Sequence, residues 1–377
     1  MTASSFVEPS YGGRTLGDVL PAIATALGID LGFHDTELVL PPAQRYVVFL
    51  VDGLGYRLIE EYAEHAPYLH ALMSEPSTTH GVAGVPSTTA TSLTSLGTAL
   101  TPGEHGLVGF TSRIPGTEKL LNALFWNKDL VDPAEWQPNP SAFARLRSAG
   151  VHATVVSKKE FVDSGLTLSA FRGAEFVDGD KIGERIAAAV TQSATAPSVT
   201  YVYDGDLDWT GHRYGVDSPQ WRAQLGAIDA GVEQLRESLD PGVRLVVVAD
   251  HGMVDCPLEA RIDIDEHPEL RSGVQLIGGE ARFRHLYCSG RAVDDVLATW
   301  REFLGDRGQV LARDEAIERG WFGTVVPQVR PRLGDVVVAA TGQTALISMA
   351  DFPYENMLVG FHGSLTAVEM EIPILVC

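Results

Sequence analysis

The sequence predicts an α/β protein of three layers, α/β/α, with a mostly parallel central sheet and a small antiparallel lobe inserted into it. Three observations carry this expectation: short β-branched runs, helical stretches between them, and an alternating segment from about residue 256 to 343 that breaks their rhythm. A chain of 377 residues is long enough to bury one large core with an insertion. The expected organisation is a core of residues 1–255 and 344–377, with 256–343 as a lobe within the same domain.

The expected strands are residues 46–51, 153–156, 199–203, 244–249 and 372–376, each a continuous apolar run of the kind that suits a strand covered on both faces. Helical patterns span 141–149, 181–190 and 220–239, the last preceded by the start signal Ser218-Pro219. Within the lobe, residues 274–277, 281–287 and 335–339 read as strands. The echo Pro76-Ser-Thr-Thr79 and Pro86-Ser-Thr-Thr89 is too short to be a structural repeat.

Counting 28 Lys and Arg against 49 Asp and Glu gives a net charge of −21, a field that repels polyanions. Long nucleic acid and anionic membrane surfaces are therefore excluded as partners, which leaves small molecules. Cys256, Cys288 and Cys377 are too few and too scattered for a disulfide framework or a thiolate cluster. No basic, apolar leader opens the chain, and no segment approaches the roughly 18 apolar residues of a membrane span. The expectation is a soluble, cytoplasmic protein; composition leaves the oligomeric state open.

In a parallel α/β sheet, ligands gather beyond the carboxyl ends of the strands. Polar residues cluster there: Asp52 follows the first run, Asp208 lies just past Tyr203, and Asp250-His251 closes the run from Arg244. A single Asp after a strand is ordinarily a turn or helix cap. Together with His212 in Asp-Trp-Thr-Gly-His and His362 in Gly-Phe-His-Gly, however, they supply three carboxylates and three imidazoles. That donor set suits zinc or another divalent ion and is large enough for two sites. On the plainer reading, Asp208 and His212 face one loop and His362 satisfies a local hydrogen bond.

These elements, in this order, resemble the alkaline phosphatase superfamily, and within it the type I phosphodiesterase/nucleotide pyrophosphatase family. Phe49-Leu-Val-Asp-Gly-Leu54 looks like the first metal motif. Gly84-Val-Pro-Ser-Thr-Thr-Ala-Thr-Ser-Leu93, followed by Thr101-Pro-Gly-Glu-His-Gly106, looks like the nucleophile segment. The family pattern places a proline three residues before a nucleophilic threonine and begins Pro-x-x-His-Gly thirteen residues after it. Pro86, Thr89 and Pro102 meet both conditions, and the resemblance runs from about Tyr46 to Pro373. Thr88 competes for the role, and the spacing favours Thr89. The sulfatase relatives need a Cys/Ser-x-Pro-x-Arg setting that this chain lacks.

The resemblance implies a hydrolase with two divalent ions, zinc first and manganese as the alternative. One would be held by Asp52, Thr89, Asp250 and His251, the other by Asp208, His212 and His362. Thr89 would attack phosphorus and be released by water. The substrate implied is a small phosphate diester or pyrophosphate, with a monoester or a phosphonate as the alternative on the same core. A metal-binding protein without catalysis is the further alternative, although no ligand is missing. His105 reads as structural, and His34, His65, His70, His80, His152, His267 and His285 read as surface or packing residues.

Substrate contacts are less regular. Family members hold a non-bridging phosphate oxygen with an Asn five residues after the His of His-Gly, and here that residue is Phe110. A phenyl ring donates no such hydrogen bond, so Asn127 is the replacement candidate, with Asn122 and Lys128 nearby. Nucleotide-binding relatives stack the base between two aromatics; Tyr203 matches one position and Ala90 occupies the other. Phe110 or Trp126 could face Tyr203. Lys158 and Lys159 read as solvated surface lysines.

Overall fold

The computed structural model describes residues 6–377; the first five, part of the N-terminal stretch read above for a leader, lie outside the described residues. The strands used below are β1 Arg45–Val51, β2 Thr79–Val82, β3 His152–Ser157, β4 Glu175–Asp178, β5 Ser198–Asp204, β6 Arg244–Val248, β7 Val274–Glu280, β8 Phe283–Cys288, β9 Gly308–Ala312, β10 Val336–Ala340 and β11 Glu371–Val376. The helices are α1 Thr89–Thr98, α2 Ala142–Ser148, α3 Ile182–Gln192, α4 Asp206–Tyr214, α5 Pro219–Ser238 and α6 Val293–Leu304.

The main sheet has the order β2-β11-β6-β1-β5-β3-β4. β1 lies parallel to β5 and β6, β3 parallel to β5, and β4 parallel to β3. β11 runs antiparallel to both its neighbours, β6 and β2. The mostly parallel sheet read from the sequence is therefore present. The apolar runs explain its centre: after Arg45 every residue of β1 is buried, as befits a strand covered on both faces. Helix starts follow the sequence signals, since Ser141 accepts a hydrogen bond from Ala144 N and Ser218 one from Trp221 N.

The sequence reading does not contain β2 or β4. Both are four-residue edge strands of mixed polarity, and only their pairing with a stronger neighbour makes them strands.

The second sheet is antiparallel, with order β7-β8-β10-β9. It has its own apolar cluster, in which Ile277, Leu286 and Val338 pack with Val296 and Trp300 of α6. The Trp300 indole donates to Leu270 O at 3.0 Å, so the ring is buried without an unpaired donor. Phe283, Leu311, Val337 and Ala339 instead pack into the main core, so three strands of this sheet join it to the main one. No helix among the described residues is long and apolar enough to cross a membrane.

Candidate active site

The parallel direction of β1, β5 and β6 brings their carboxyl ends to one rim. Asp52 leaves β1 there, its amide bonded to Asp204 O at the end of β5 at 2.8 Å. Asp250 lies two residues beyond β6, and its Oδ1 accepts from Gly53 N at 3.1 Å. Gly53 sits at φ +76°, and a Cβ on it would come within 3.2 Å of the Asp208 Cα and Cβ, so the tight β1 turn lets Asp208 approach. Asp208 and His212 are one turn apart on α4 and share a face, with His212 Nε2 3.4 Å from Asp208 Oδ2. His362 follows the short strand Gly360–Phe361.

Thr89 is the first residue of α1, and Thr88 before it is extended and makes no capping bond. Thr89 Oγ1 lies 3.3 Å from Asp52 Oδ2 and 3.3 Å from His251 Nε2. Ser92, one turn on, donates to Asp250 O at 2.8 Å and so ties this helix to the Asp250-His251 loop. The helix N-terminus also presents positive partial charge, a favourable setting for a phosphoryl group.

Asp52, Asp250 and His251 form one cluster of candidate metal-binding atoms, and Asp208, His251 and His362 form another, each with its atoms within 4.8 Å of one another. His251 faces both clusters, a sharing that the sequence did not indicate. His212 joins through its Nε2, 3.2 Å from that of His362.

The hydrogen-bond pattern tests whether cations fit. His212, His251 and His362 each place Nδ1 against a backbone carbonyl, of Gly360, Gly252 and Ser87, at 2.8, 3.0 and 3.0 Å. A carbonyl accepts only, so Nδ1 carries the proton and Nε2 turns a bare lone pair inward. Bare lone pairs that face each other and buried carboxylates repel unless a cation lies between them. Asp208 Oδ1 and Asp250 Oδ2 are likewise buried without a hydrogen-bond partner, and no Lys or Arg pairs with these acids among the described residues. The donors fit divalent ions.

Electrostatics agree with this crowding. Burial, and then the charge of Asp250, raises Asp52 well above the usual carboxylate range. Burial pushes Asp208 up to about 7, with the charge of Asp52 adding to it. Burial and the charge of Asp208 do the same for Asp250, also about 7. Burial lowers His251 to about 3, and it lowers His362 well below the ordinary imidazole value.

A cavity of about 730 Å³ opens over Thr89, Asp208, His212 and His362. Phe110 lines it, whereas Asn127 and Tyr203 do not. Asn127 is exposed, with its Oδ1 accepting from Asp129 N at 3.0 Å, and Asn122 likewise caps its own turn. The Tyr203 hydroxyl donates to Asp52 Oδ2 at 2.6 Å, which makes it a second-layer partner of a candidate ligand. Trp126 packs edge-on against Trp136, and Lys158 pairs with Asp206.

Glu280 was not found from the sequence. It ends β7 and lines the cavity, and both its carboxyl oxygens are buried without a partner. Burial raises it to about 8, and neither nearby Thr88 nor the Phe110 amide completes a hydrogen bond to it. Its place depends on the lobe folding against the core, so no local spacing marks it.

A doubly covered sheet with a buried hydroxyl between two acid-histidine clusters at its carboxyl rim has the architecture of the alkaline phosphatase superfamily. Within that class, the chain belongs to the type I phosphodiesterase/nucleotide pyrophosphatase family, whose model matches residues 46–365. The structure is similar in fold to murine ectonucleotide pyrophosphatase/phosphodiesterase 5, with TM-score 0.69, 19% identity and 88% of each chain covered. An inactive threonine-to-alanine form of that murine protein, in complex with AMP, superposes with TM-score 0.68. Phosphonoacetate hydrolase from Sinorhizobium meliloti shares the fold with TM-score 0.65, 20% identity, and 89% of this chain and 90% of that chain covered.

Two curated proteins match shorter stretches. GPI ethanolamine phosphate transferase 3 of Schizosaccharomyces pombe is 27% identical over 133 residues, 34% of this chain. Human ectonucleotide pyrophosphatase/phosphodiesterase family member 7 is 42% identical over 57 residues, 14% of this chain. The matches span only 13% and 12% of those two relatives.

Proposed function

We propose that the protein is a two-metal phosphodiesterase or nucleotide pyrophosphatase acting through a phosphothreonine at Thr89. The observation that supports it most is the position of Thr89 Oγ1, at a helix N-terminus and 3.3 Å from both Asp52 and His251. The inactivity of the threonine-to-alanine form of the murine neighbour agrees with a threonine at the reacting centre.

Thr89 Oγ1 forms a bond to phosphorus as the bond to the leaving oxygen breaks, and Asp52 Oδ2 is the nearest carboxylate for the hydroxyl proton. Water then attacks phosphorus and releases Thr89. Asp52, Asp250 and His251 with the Thr89 oxygen would hold one ion, and Asp208, His212 and His362 the other. Two bound ions supply a lowered hydroxyl pKa and neutralise charge on the apical oxygens. The mixed carboxylate and imidazole donors, without thiolate, suit zinc, with manganese as the alternative. Tyr203 holds Asp52 in orientation.

A diester is favoured over a monoester dianion because, among Lys and Arg, only Arg213 lines the cavity, and its guanidinium lies over the Trp209 and Tyr214 rings. The phosphonate hydrolase among the structural neighbours keeps phosphonates as the second reading. We place the enzyme in the cytoplasm, where its three free thiols stay reduced.

Metal content measured by mass spectrometry, with rates on bis(p-nitrophenyl) phosphate and p-nitrophenyl phosphate, tests this. Thr89→Ala should lose roughly 10³-fold or more in kcat on the diester. Asp250→Asn and His362→Ala should lower metal occupancy. A Thr89→Ala variant with native diesterase rates would refute the nucleophile.

A further inference from the structure

The cavity over Thr89 holds an acid to which the steps above give no task. Glu280, at the end of β7, is 8% exposed, and both its carboxyl oxygens are buried without a hydrogen-bond partner. Gly363 makes room for it: at φ +126°, a Cβ there would come within 2.7 Å of the Glu280 Cγ. Gly363 O in turn accepts from Ser87 N at 3.1 Å, so the carboxyl packs where the His362 segment meets the turn that carries Thr89. The Thr88 hydroxyl and the Phe110 amide are its near polar neighbours.

A carboxylate ion placed there would lose its hydration and gain no partner in return. Arg284, whose charge reaches Glu280, is committed to Glu355 and to Leu346 O. The carboxyl is therefore held as the neutral acid, in keeping with its rise to about 8 through burial. A neutral acid has an O–H to donate, and with no acceptor on the protein that O–H is free for a ligand in the cavity. Position decides which ligand atom receives it. In-line displacement sets the leaving oxygen opposite Thr89 Oγ1 and spreads charge over the equatorial oxygens. A group beside Thr88 flanks the nucleophile, so it meets an equatorial oxygen rather than the leaving one. Arg213, the one Lys or Arg lining the cavity, lies over the Trp209 and Tyr214 rings, and Phe110 offers no side-chain donor. A neutral acid suits the place because it gives a hydrogen bond without setting a negative charge beside the phosphate.

We infer that Glu280 is a catalytic residue that acts as a neutral acid, donating its O–H to a non-bridging oxygen of the phosphoryl group as Thr89 attacks. The proton stays on Glu280 throughout, and the hydrogen bond strengthens as charge gathers on that oxygen. This rests on the phosphodiesterase reading above.

Two variants of similar side-chain size separate donation from charge and from packing: Glu280→Gln keeps a donor, and Glu280→Met has none. With the metal-loaded enzyme on bis(p-nitrophenyl) phosphate, Glu280→Met should lose about 10²-fold in kcat with little change in KM, while Glu280→Gln stays within about ten-fold of native. Inhibition by vanadate, which mimics five-coordinate phosphorus, should weaken in Glu280→Met about as much as kcat falls and be kept in Glu280→Gln. The infrared difference between the native enzyme and Glu280→Gln at neutral pH should contain the C=O stretch of a protonated carboxylic acid. A carboxylate band in its place, native kcat in Glu280→Met, or a Glu280→Gln variant as slow as Glu280→Met would each overturn the inference. Metal loss in either variant would also overturn it, since Glu280 would then be a ligand. A native enzyme without turnover on any diester would instead remove the reading beneath it.

Discussion

Which ring nitrogen holds the proton divides the buried and half-buried histidines into two chemical groups. At His212, His251 and His362 a carbonyl takes Nδ1–H and frees Nε2 for a cation. At His105 and His285 the pattern is reversed: Nδ1 accepts from Leu107 N and Gly334 N, both at 3.1 Å. The proton therefore sits on Nε2, which faces Ser95 Oγ in one and donates to Val108 O in the other. Burial lowers His105 to about 3 and His285 to about 4. A base held neutral on folding costs nothing above its unfolded pKa of 6.5, and stability is lost as pH falls from there toward 4. Each ring should contribute a slope of about 1.4 kcal/mol per pH unit in that window. Urea midpoints from pH 4.5 to 7 should show it, and His285→Gln should flatten the slope by about one proton; an unchanged slope would mean that the ring protonates freely in the fold. At this scale the sequence made the strand-end aspartates legible, because a motif such as Asp250-His251 is local. Glu280, and the way His251 faces both clusters, depend on contacts between distant segments and were not legible.

Among the elements, α1 is the least expected from composition. Its ten residues include six Thr and Ser and one Gly, all poor helix formers, yet every one is buried. Tertiary packing holds it: Thr94 and Thr98 return their hydroxyls to carbonyls one turn back, and Ser95 meets His105. Gly97 packs directly on the backbone of the helix Gly165–Ala170, and a Cβ there would lie 2.3 Å from Ala170 O and 2.8 Å from its carbon. Gly97→Ala would gain about 1 kcal/mol of helix propensity but should lose more to overpacking, commonly about 1–3 kcal/mol or beyond against rigid backbone. Thermal unfolding should show a net loss, together with a lower kcat as Thr89 shifts; a stabilised variant would contradict the packing. The contrast with α5 is instructive. There an apolar stripe and Ser218-Pro219 marked the helix in the sequence, whereas α1, buried on every side with hydroxyls all round, carried no such period.

Across the whole molecule, two buried ion pairs join the β8 side of the antiparallel sheet to the segment that returns to the main sheet: Arg282 with Glu369 at 2.6 Å, and Arg284 with Glu355. Glu369 also accepts from Ser364 N at 3.0 Å, close to His362. We propose on this basis that residues 256–343 are a lobe of one cooperative domain. Arg282→Met would strand a buried carboxylate and should cost about 3–5 kcal/mol. Adding Glu369→Gln should restore part of this, and a single unfolding transition should persist in urea. Two separate transitions in the native protein would argue for independent units. The parallel centre of the main sheet was readable from its apolar runs. The reversed direction of β11 was not, because orientation is set by where the lobe releases the chain rather than by the strand's own residues.

β11 lies between β6 and β2, so β2 has no partner in the main sheet until residues some three hundred positions later have been synthesised. His362 emerges only shortly before them. On the ribosome, therefore, the first half of the protein waits with one sheet edge unfinished, and the rim beside Thr89 is completed among the last events of synthesis. A chain interrupted within the lobe would leave an open strand edge prone to aggregation and no complete pair of clusters.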